Sequence, residues 1–244
     1  RGERSVQVEF IAARPSPGAP VIEVAPSVIE VLDFRSTEDA ATRLAELRDE
    51  GPVTVFGEGE LDSALQCHNR RSLQPAVTLA FWTAPSSPSE VRAALDVVRP
   101  ERVALFAVDP GLDGPASFSR RFAGLVKYVL KARNGRVAAA ELAAQMAQRE
   151  LVIHLGLQLL AAQGNLTVGE ESDGELRLAP GSGRSAPEPV KTLAAARLSA
   201  ALQETAAFRT YFRTADKDAL IRGYLPGSQV SPGSALIFGP QPSS

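Results

Sequence analysis

The chain has 244 residues, 44% of them hydrophobic, with 26 basic and 28 acidic side chains and a formal net charge of −2. That balance excludes whole-chain attraction to nucleic acid, so any such surface must come from local segregation of charge. A single cysteine excludes an intrachain disulfide framework and suits a reducing compartment. No apolar run is long enough to span a bilayer and no signal-peptide pattern opens the chain, which is therefore read as cytoplasmic and without a membrane partner. It begins at Arg1 rather than Met, as expected of a piece of a longer protein.

Residues Ser5 to Ile11 alternate, with Val6, Val8 and Phe10 against Gln7 and Glu9, and predict a half-buried strand. Residues 1–15 are read as the last strand of a preceding domain, and the Pro-rich residues 16–27 as a stiff linker. Residues 28–116 then alternate strands and helices. The strands are Ile29 to Phe34, Val53 to Phe56, Val77 to Trp82 and Arg102 to Val108. Between them stand helices capped by Ser36 or Thr37 and running through Glu50, from Leu61 to about His68, and from Pro88 through Val98. Near-continuous apolar strands separated by amphipathic helices predict an α/β subdomain with a parallel, Rossmann-like sheet and flanking helices.

Residues 117–180 carry a different order. Phe118, Phe122, Leu125, Val126, Val129 and Leu130 form one helical face, stopped at Asn134-Gly135. Helices follow from Ala138 to Ala147 and from Arg149 to Gln163, the second stopped at Gly164-Asn165. The runs Leu166 to Val168 and Glu175 to Leu178, joined by Ser172-Asp173-Gly174, predict a hairpin. Three helices and a hairpin make a winged-helix-like subdomain. Residues 181–225 predict C-terminal helices, Lys191 to about Leu202 and Asp216 to Tyr224, with an aromatic stretch from Phe208 to Phe212. The Pro/Gly/Ser-rich residues 226–244 read as a tail, with Ala235 to Phe238 as one further candidate strand.

No catalytic constellation emerges. Phe56-Gly57-Glu58-Gly59 follows a strand but lacks the third glycine of a dinucleotide loop, and reads as a plain turn. Cys67-His68 has no second ligand cluster, and His154 lies inside an apolar helix, so no metal site is expected. Charge does segregate. Arg120, Arg121, Lys127, Lys131, Arg133 and Arg136 occur with no acidic residue between Asp113 and Glu141, a block able to hold phosphates or an acidic peptide, or simply a solvated face. Arg209, Arg213 and Lys217 recur every four residues beside Phe208, Tyr211 and Phe212, unless Asp216 starts a new helix and breaks the row. The helix in the recognition position is apolar and the hairpin acidic, which argues against base reading.

Several of these stretches resemble the C-terminal region of the bacterial RecJ family, single-strand-specific 5′–3′ DNA exonucleases. Ser5 to Ile11 followed by Arg14-Pro15 is similar to the last strand of that family's OB-fold. Leu32-Asp33-Phe34-Arg35 is similar to its Asp-x-Arg, and Phe81-Trp82-Thr83-Ala84-Pro85 to a strand ending in Pro. Arg121-Phe122, Tyr128, Lys191-Thr192-Leu193 and Ser199 stand where the family has similar residues. The resemblance implies a nuclease core lying before Arg1, using Mn or Mg held by a DHH motif and a Gly-rich motif ending in His. Neither motif is present here, so no cofactor and no hydrolysis are expected of this segment alone. It implies instead a role in DNA repair and recombination through protein partners: the C-terminal tail of the single-stranded-DNA-binding protein SSB, and other repair proteins such as a helicase. Direct binding of single-stranded DNA, a structural cap on the nuclease and a free-standing small-molecule enzyme are the rival readings.

An acidic tail ending in Phe needs an apolar slot and guanidinium partners. Two places offer both. The preferred one is Phe208, Arg209, Tyr211, Phe212, Arg213 and Lys217, with Lys191 folding over it; the other is Arg133, Arg136 and Arg149 beside Leu151 and Leu155. Arg121, Lys127 and Lys131 are the candidate contacts for DNA.

Overall fold

The computed structural model describes residues 29–169 and 174–225. The strand and linker expected before Ile29, the tail after Leu225 and the centre of the hairpin turn lie outside them. Four strands, β1 (Glu30–Asp33), β2 (Val53–Phe56), β3 (Thr78–Thr83) and β4 (Arg102–Val108), pair in parallel in the order β1-β4-β3-β2. Side chains alternate across a strand, so each strand feeds two cores. Val31, Phe56, Leu79, Phe81, Val103 and Leu105 face one side, where α2 (Pro88–Val98) brings Val91, Leu95 and Val98. Val55, Ala80, Trp82, Ala104 and Phe106 face the other, where α1 (Ala40–Glu50) brings Leu44 and Leu47. Both faces are covered, as the apolar strands require.

The winged-helix-like part follows as α3 (Pro115–Ala132), β5 (Arg136–Ala138), α4 (Ala139–Gln145), α5 (Glu150–Ala162), β6 (Leu166–Val168) and β7 (Glu175–Pro180). β7 lies between β5 and β6, antiparallel to both. Phe118, Phe122, Val126 and Val129 of α3 pack into its core with Val137, Leu142, Ile153, Leu157, Leu166, Leu176 and Leu178. No helix among the described residues is long and apolar enough to cross a membrane.

Several boundaries differ from the sequence expectation, each for a local reason. Asp39, not Ser36 or Thr37, caps α1: its carboxylate accepts from Thr42 N at 3.0 Å. Leu61 to His68 is not a helix. Only Ser63–Leu65 forms a 3₁₀ turn, Gln66 takes a left-handed φ of 47°, and His68 pairs with Phe56 as an isolated bridge. β5 is a strand that three residues were too few to reveal. The largest change is α6 (Glu188–Thr214), one 27-residue helix where two segments were expected. No Gly or Pro follows Pro189 before Thr214, and Gln203 to Ala207 are compatible with helix, so nothing interrupts it. Asp216 then caps α7 (Lys217–Arg222), accepting from Ala219 N at 2.9 Å.

The C-terminal helices share the other two parts' cores rather than building their own. Leu198, Ala201 and Leu202 of α6 join the winged-helix-like core, while Phe212 of α6 and Leu220 and Ile221 of α7 join the α2 side of the sheet. Arg35 fixes that second contact. Asp33 holds its guanidinium at two points, 2.8 and 2.7 Å, and the same group donates to Phe212 O at 2.8 Å and Ala215 O at 2.9 Å. A cation thereby satisfies carbonyls at the C-terminal end of α6. The hydrogen bond from Arg35 holds the Asp33 carboxyl below the usual carboxylate range.

Gly135 closes α3 at φ +76°, and a Cβ there would sit 1.9 Å from Leu178 O. The same crossing carries the Leu178 N to Gly135 O hydrogen bond of 2.8 Å. Gly135→Ala should therefore cost about 3 kcal/mol or more in urea unfolding, combining a left-handed backbone with a backbone collision. A cost below about 0.5 kcal/mol would show that the crossing relaxes freely.

Candidate interaction surfaces

The α6 cluster favoured by the sequence is not a ligand pocket. Arg209 is only 2% exposed and Phe212 is fully buried, its ring edge-on to Phe81 at 5.5 Å. Phe208 is half-buried against the same core. Asp216 ends the row, and Lys217 turns to donate to Val31 O at 2.8 Å, satisfying a carbonyl of edge strand β1. Lys191 pairs with Glu188 at 2.7 Å in the first turn of α6. Eighteen residues of helix, roughly 27 Å, separate it from Arg209, so it cannot fold over the cluster. Tyr211 remains exposed, as does Arg213, which lies 3.4 Å from Asp109.

The second cluster is also dispersed. Arg149 donates to Ala201 O and to Glu204, both at 2.9 Å, tying α5 to α6. Arg133 pairs with Glu141 at 2.5 Å and stacks over the Tyr128 ring at 5.9 Å. Arg136 is exposed, Leu151 is exposed and Leu155 is half-buried. Arg121 pairs with Glu60 and donates to Gln145 O at 3.4 Å, which places it at the seam between the sheet and α4. Lys127 and Lys131 stand on the outer face of α3.

In an open parallel sheet the usual ligand position is the crevice beyond the carboxyl ends of the strands. Here a buried polar network fills it. Glu58, just after β2, takes Arg70 Nε at 2.7 Å and Nη2 at 2.5 Å, and its own N–H donates to Thr83 Oγ1 at 3.0 Å. Arg70 reaches on to Glu90 at 2.5 Å and to Gln148 O at 3.0 Å. Gln148 Nε2 donates to Asp113 at 2.7 Å. Arg209 completes the set, donating to Asp113, to Ala147 O and, at 3.1 Å, to Ala84 O. Burial pushes the Glu90 and Asp113 carboxyls above the usual range, against the pull of Arg70 and Arg209. These ions are paired and hydrogen-bonded, as buried charge must be. Of this network the sequence had singled out only Glu58, as part of a plain turn, and Arg209, as a candidate partner contact; Arg70, Glu90, Asp113 and Gln148 carried no signal for it.

The Gly57-Glu58-Gly59 turn has no free N–H nest for a phosphate. Gly57 N donates to His68 O at 2.9 Å and Gly59 N to Ala144 O at 3.0 Å. Beside it lies a cavity of about 400 Å³ lined by Gly57, Leu61, Asp62, Cys67, Asn69, Ala144 and Gln145 among others. Burial pushes the Cys67 thiol up to about 11. Among the described residues no group of three His, Cys, Asp or Glu is placed to hold a metal ion.

The helix in the recognition position, α5, is covered. α6 runs antiparallel to it, joined at one end by Arg149 to Ala201 and at the other by Ala186 N donating to Ala162 O at 2.7 Å. The chain matches no protein-family model, no curated protein and no solved structure.

Arg209→Met should destabilise the protein by about 3–5 kcal/mol, because it strands the Asp113 carboxylate without its buried partner. Arg209→Met combined with Asp113→Leu should recover part of that loss in the same urea titration. Equal losses for the single and double variants would show that the pair acts through packing alone. For Cys67, only about a thousandth of the thiol is ionised at pH 8. Alkylation by iodoacetamide should therefore be far slower than for a free thiol and rise about tenfold per pH unit up to pH 10. A rate that levels off near pH 8.5 would contradict the burial argument.

Proposed function

We propose that this chain is a non-catalytic interaction domain of a RecJ-like single-stranded-DNA exonuclease, acting in DNA repair by recruiting the enzyme through the acidic C-terminal tail of SSB. The observation that carries the reading is the cavity of about 400 Å³ at the seam between the sheet and α4, one of whose lining residues, Gln145, accepts from the Arg121 guanidinium through its backbone carbonyl at 3.4 Å. Leu61, Cys67 and Ala144 supply apolar walls for a terminal Phe ring. Glu58, the buried acid of the lining, is held by Arg70, which it shares with Glu90, and the other acid of the lining, Asp62, accepts from Ala64 N at 2.9 Å. Arg121 already grips a carboxylate, that of Glu60, whose side chain is 83% exposed. A carboxylate of the incoming tail can replace Glu60 at little cost, since an exposed ion pair contributes at most about 1 kcal/mol. Arg suits this exchange because its planar fork meets carboxylate oxygens at two points. The titratable groups at the carboxyl end of the sheet are engaged in structural pairs, which favours an interaction role over chemistry at that position.

Fluorescence anisotropy with a labelled peptide ending in Asp-Asp-Phe tests the reading. Burying the ring contributes roughly 2 kcal/mol, so removing the terminal Phe should weaken binding about 30-fold. Arg121→Ala should weaken binding about tenfold, the loss of one charge-assisted contact, while Glu60→Ala should strengthen it by freeing Arg121. Equal binding of the two peptides, or indifference to both substitutions, would exclude this cavity as the tail site.

A further inference from the structure

A second surface stands apart from the cavity, at the corner where α3 turns into β5. Lys127 and Lys131 lie one turn apart on the outer face of α3. Residues 133–135 carry the chain round into β5, where Arg136 sits directly opposite Arg177 of β7 in the antiparallel register. Their neighbours Val137 and Leu176 are buried, so both arginines project from the outer face of the three-stranded sheet. Among the described residues none of Lys127, Lys131, Arg136 and Arg177 has a carboxylate within ion-pair range. Like charges directly opposite each other in a sheet are unfavourable, and a bound anion relieves them. Glu141 is already engaged by Arg133. Glu175 shares the face of Arg177 and bounds the patch on the side of the hairpin turn, whose sequence is acidic.

The patch also has an aromatic. Tyr128 is 55% exposed, and the Arg133 guanidinium lies over its ring at 5.9 Å. Gly124, one turn earlier, leaves open space where a side chain would stand. Exposed cations on neighbouring elements beside an exposed aromatic match the way single strands are held: cations follow the phosphates, and an unpaired base stacks on the ring. A duplex hides its base faces, and α6 covers the helix that a winged helix would lay in a duplex groove. None of these residues lines the cavity beside Gly57 and Gln145, so the two surfaces are separate.

We propose that the α3–β5–β7 corner is a contact surface for the backbone of a single-stranded nucleic acid, in which Arg136 and Arg177 share a phosphate, Lys127 and Lys131 follow the strand, and Tyr128 stacks on a base. The surface is independent of the cavity, and its test separates the two.

The test is anisotropy of a fluorescein-labelled 20-nucleotide oligothymidylate with the full chain. Three phosphate contacts give a salt slope of about −2, so affinity should fall about 20-fold between 50 and 200 mM KCl. Arg136→Ser with Arg177→Ser should weaken binding at least about tenfold at 50 mM and flatten the slope by about 0.7, the loss of one shared phosphate. Lys127→Ala with Lys131→Ala should flatten it by about 1.4, on a helix face where no fold contact is lost. Tyr128→Ala should weaken binding about tenfold at unchanged slope, since stacking releases no counterions. Arg121→Ala should leave oligothymidylate binding as it is. The proposal is overturned by no binding at 50 mM, by equal or tighter binding of a 20-base-pair duplex, by indifference to both cation pairs, or by an oligoglutamate peptide that binds the corner and displaces the strand.

Discussion

One buried guanidinium holds the parts of this molecule in register. Arg209 reaches from α6 to Ala84 O at the end of β3, to Asp113 in the loop before α3, and to Ala147 O after α4. Sheet, linker and winged-helix-like part therefore share one cation. Arg is suited to this position because its charge is permanent and its five donors lie in a fixed plane. A buried pair of this kind adds little net stability compared with an apolar replacement, yet leaving it half-made is costly. Its consequence is geometric: hydrogen-bond directions add a fixed orientation to the apolar contacts that α6 and α7 make with both cores. Arg70 repeats the device in the same network, joining Glu58, Glu90 and Gln148 O.

Much of the fold was legible because its signals are local. The strands of the parallel sheet are apolar on both faces, and α2 announces itself with Pro88 behind the Ser87 cap. Gly135 and Gly164 mark helix ends with left-handed backbone, as their positions suggested. What escaped was either short or long-range. β5 is three residues whose strand character comes from pairing with β7, a partner forty residues away. The continuity of α6 was hidden because its buried stripe is not apolar throughout. Leu198, Ala201, Leu202, Thr205, Arg209 and Phe212 share one helical face, but a threonine and an arginine occupy its middle and break the hydrophobic periodicity.

The candidate site was less legible, for the same physical reason. Arg209, Arg213 and Lys217 look alike in sequence, but one is buried, one is exposed and one satisfies a strand edge. Charge in a sequence says nothing of depth, and a buried arginine is recognisable only through distant carbonyls and carboxylates. The basic block between Asp113 and Glu141 fared differently because it lies on one helix and the turn after it. Helical periodicity sorted it, leaving Lys127 and Lys131 outside and turning Arg121 to the seam.

Both surfaces that these two folds usually present are occupied by the chain itself. Ion pairs fill the crevice above the parallel sheet, and α6 lies along the recognition helix. The same event produces both closures, because α6 leaves α5 only to deliver Arg209 into the crevice. A helix of 27 residues is long enough, at roughly 40 Å, to serve both ends. The two contact surfaces proposed above are ones that α6 does not cover. They are the seam beside Arg121, where the two subdomains meet around a cavity, and the outer corner of α3, where Arg136 and Arg177 face each other across the sheet. On the proposed readings the first would offer an aromatic, acidic peptide end a partly open cavity and a nearby cation, and the second would offer a flexible strand open charge and an exposed ring.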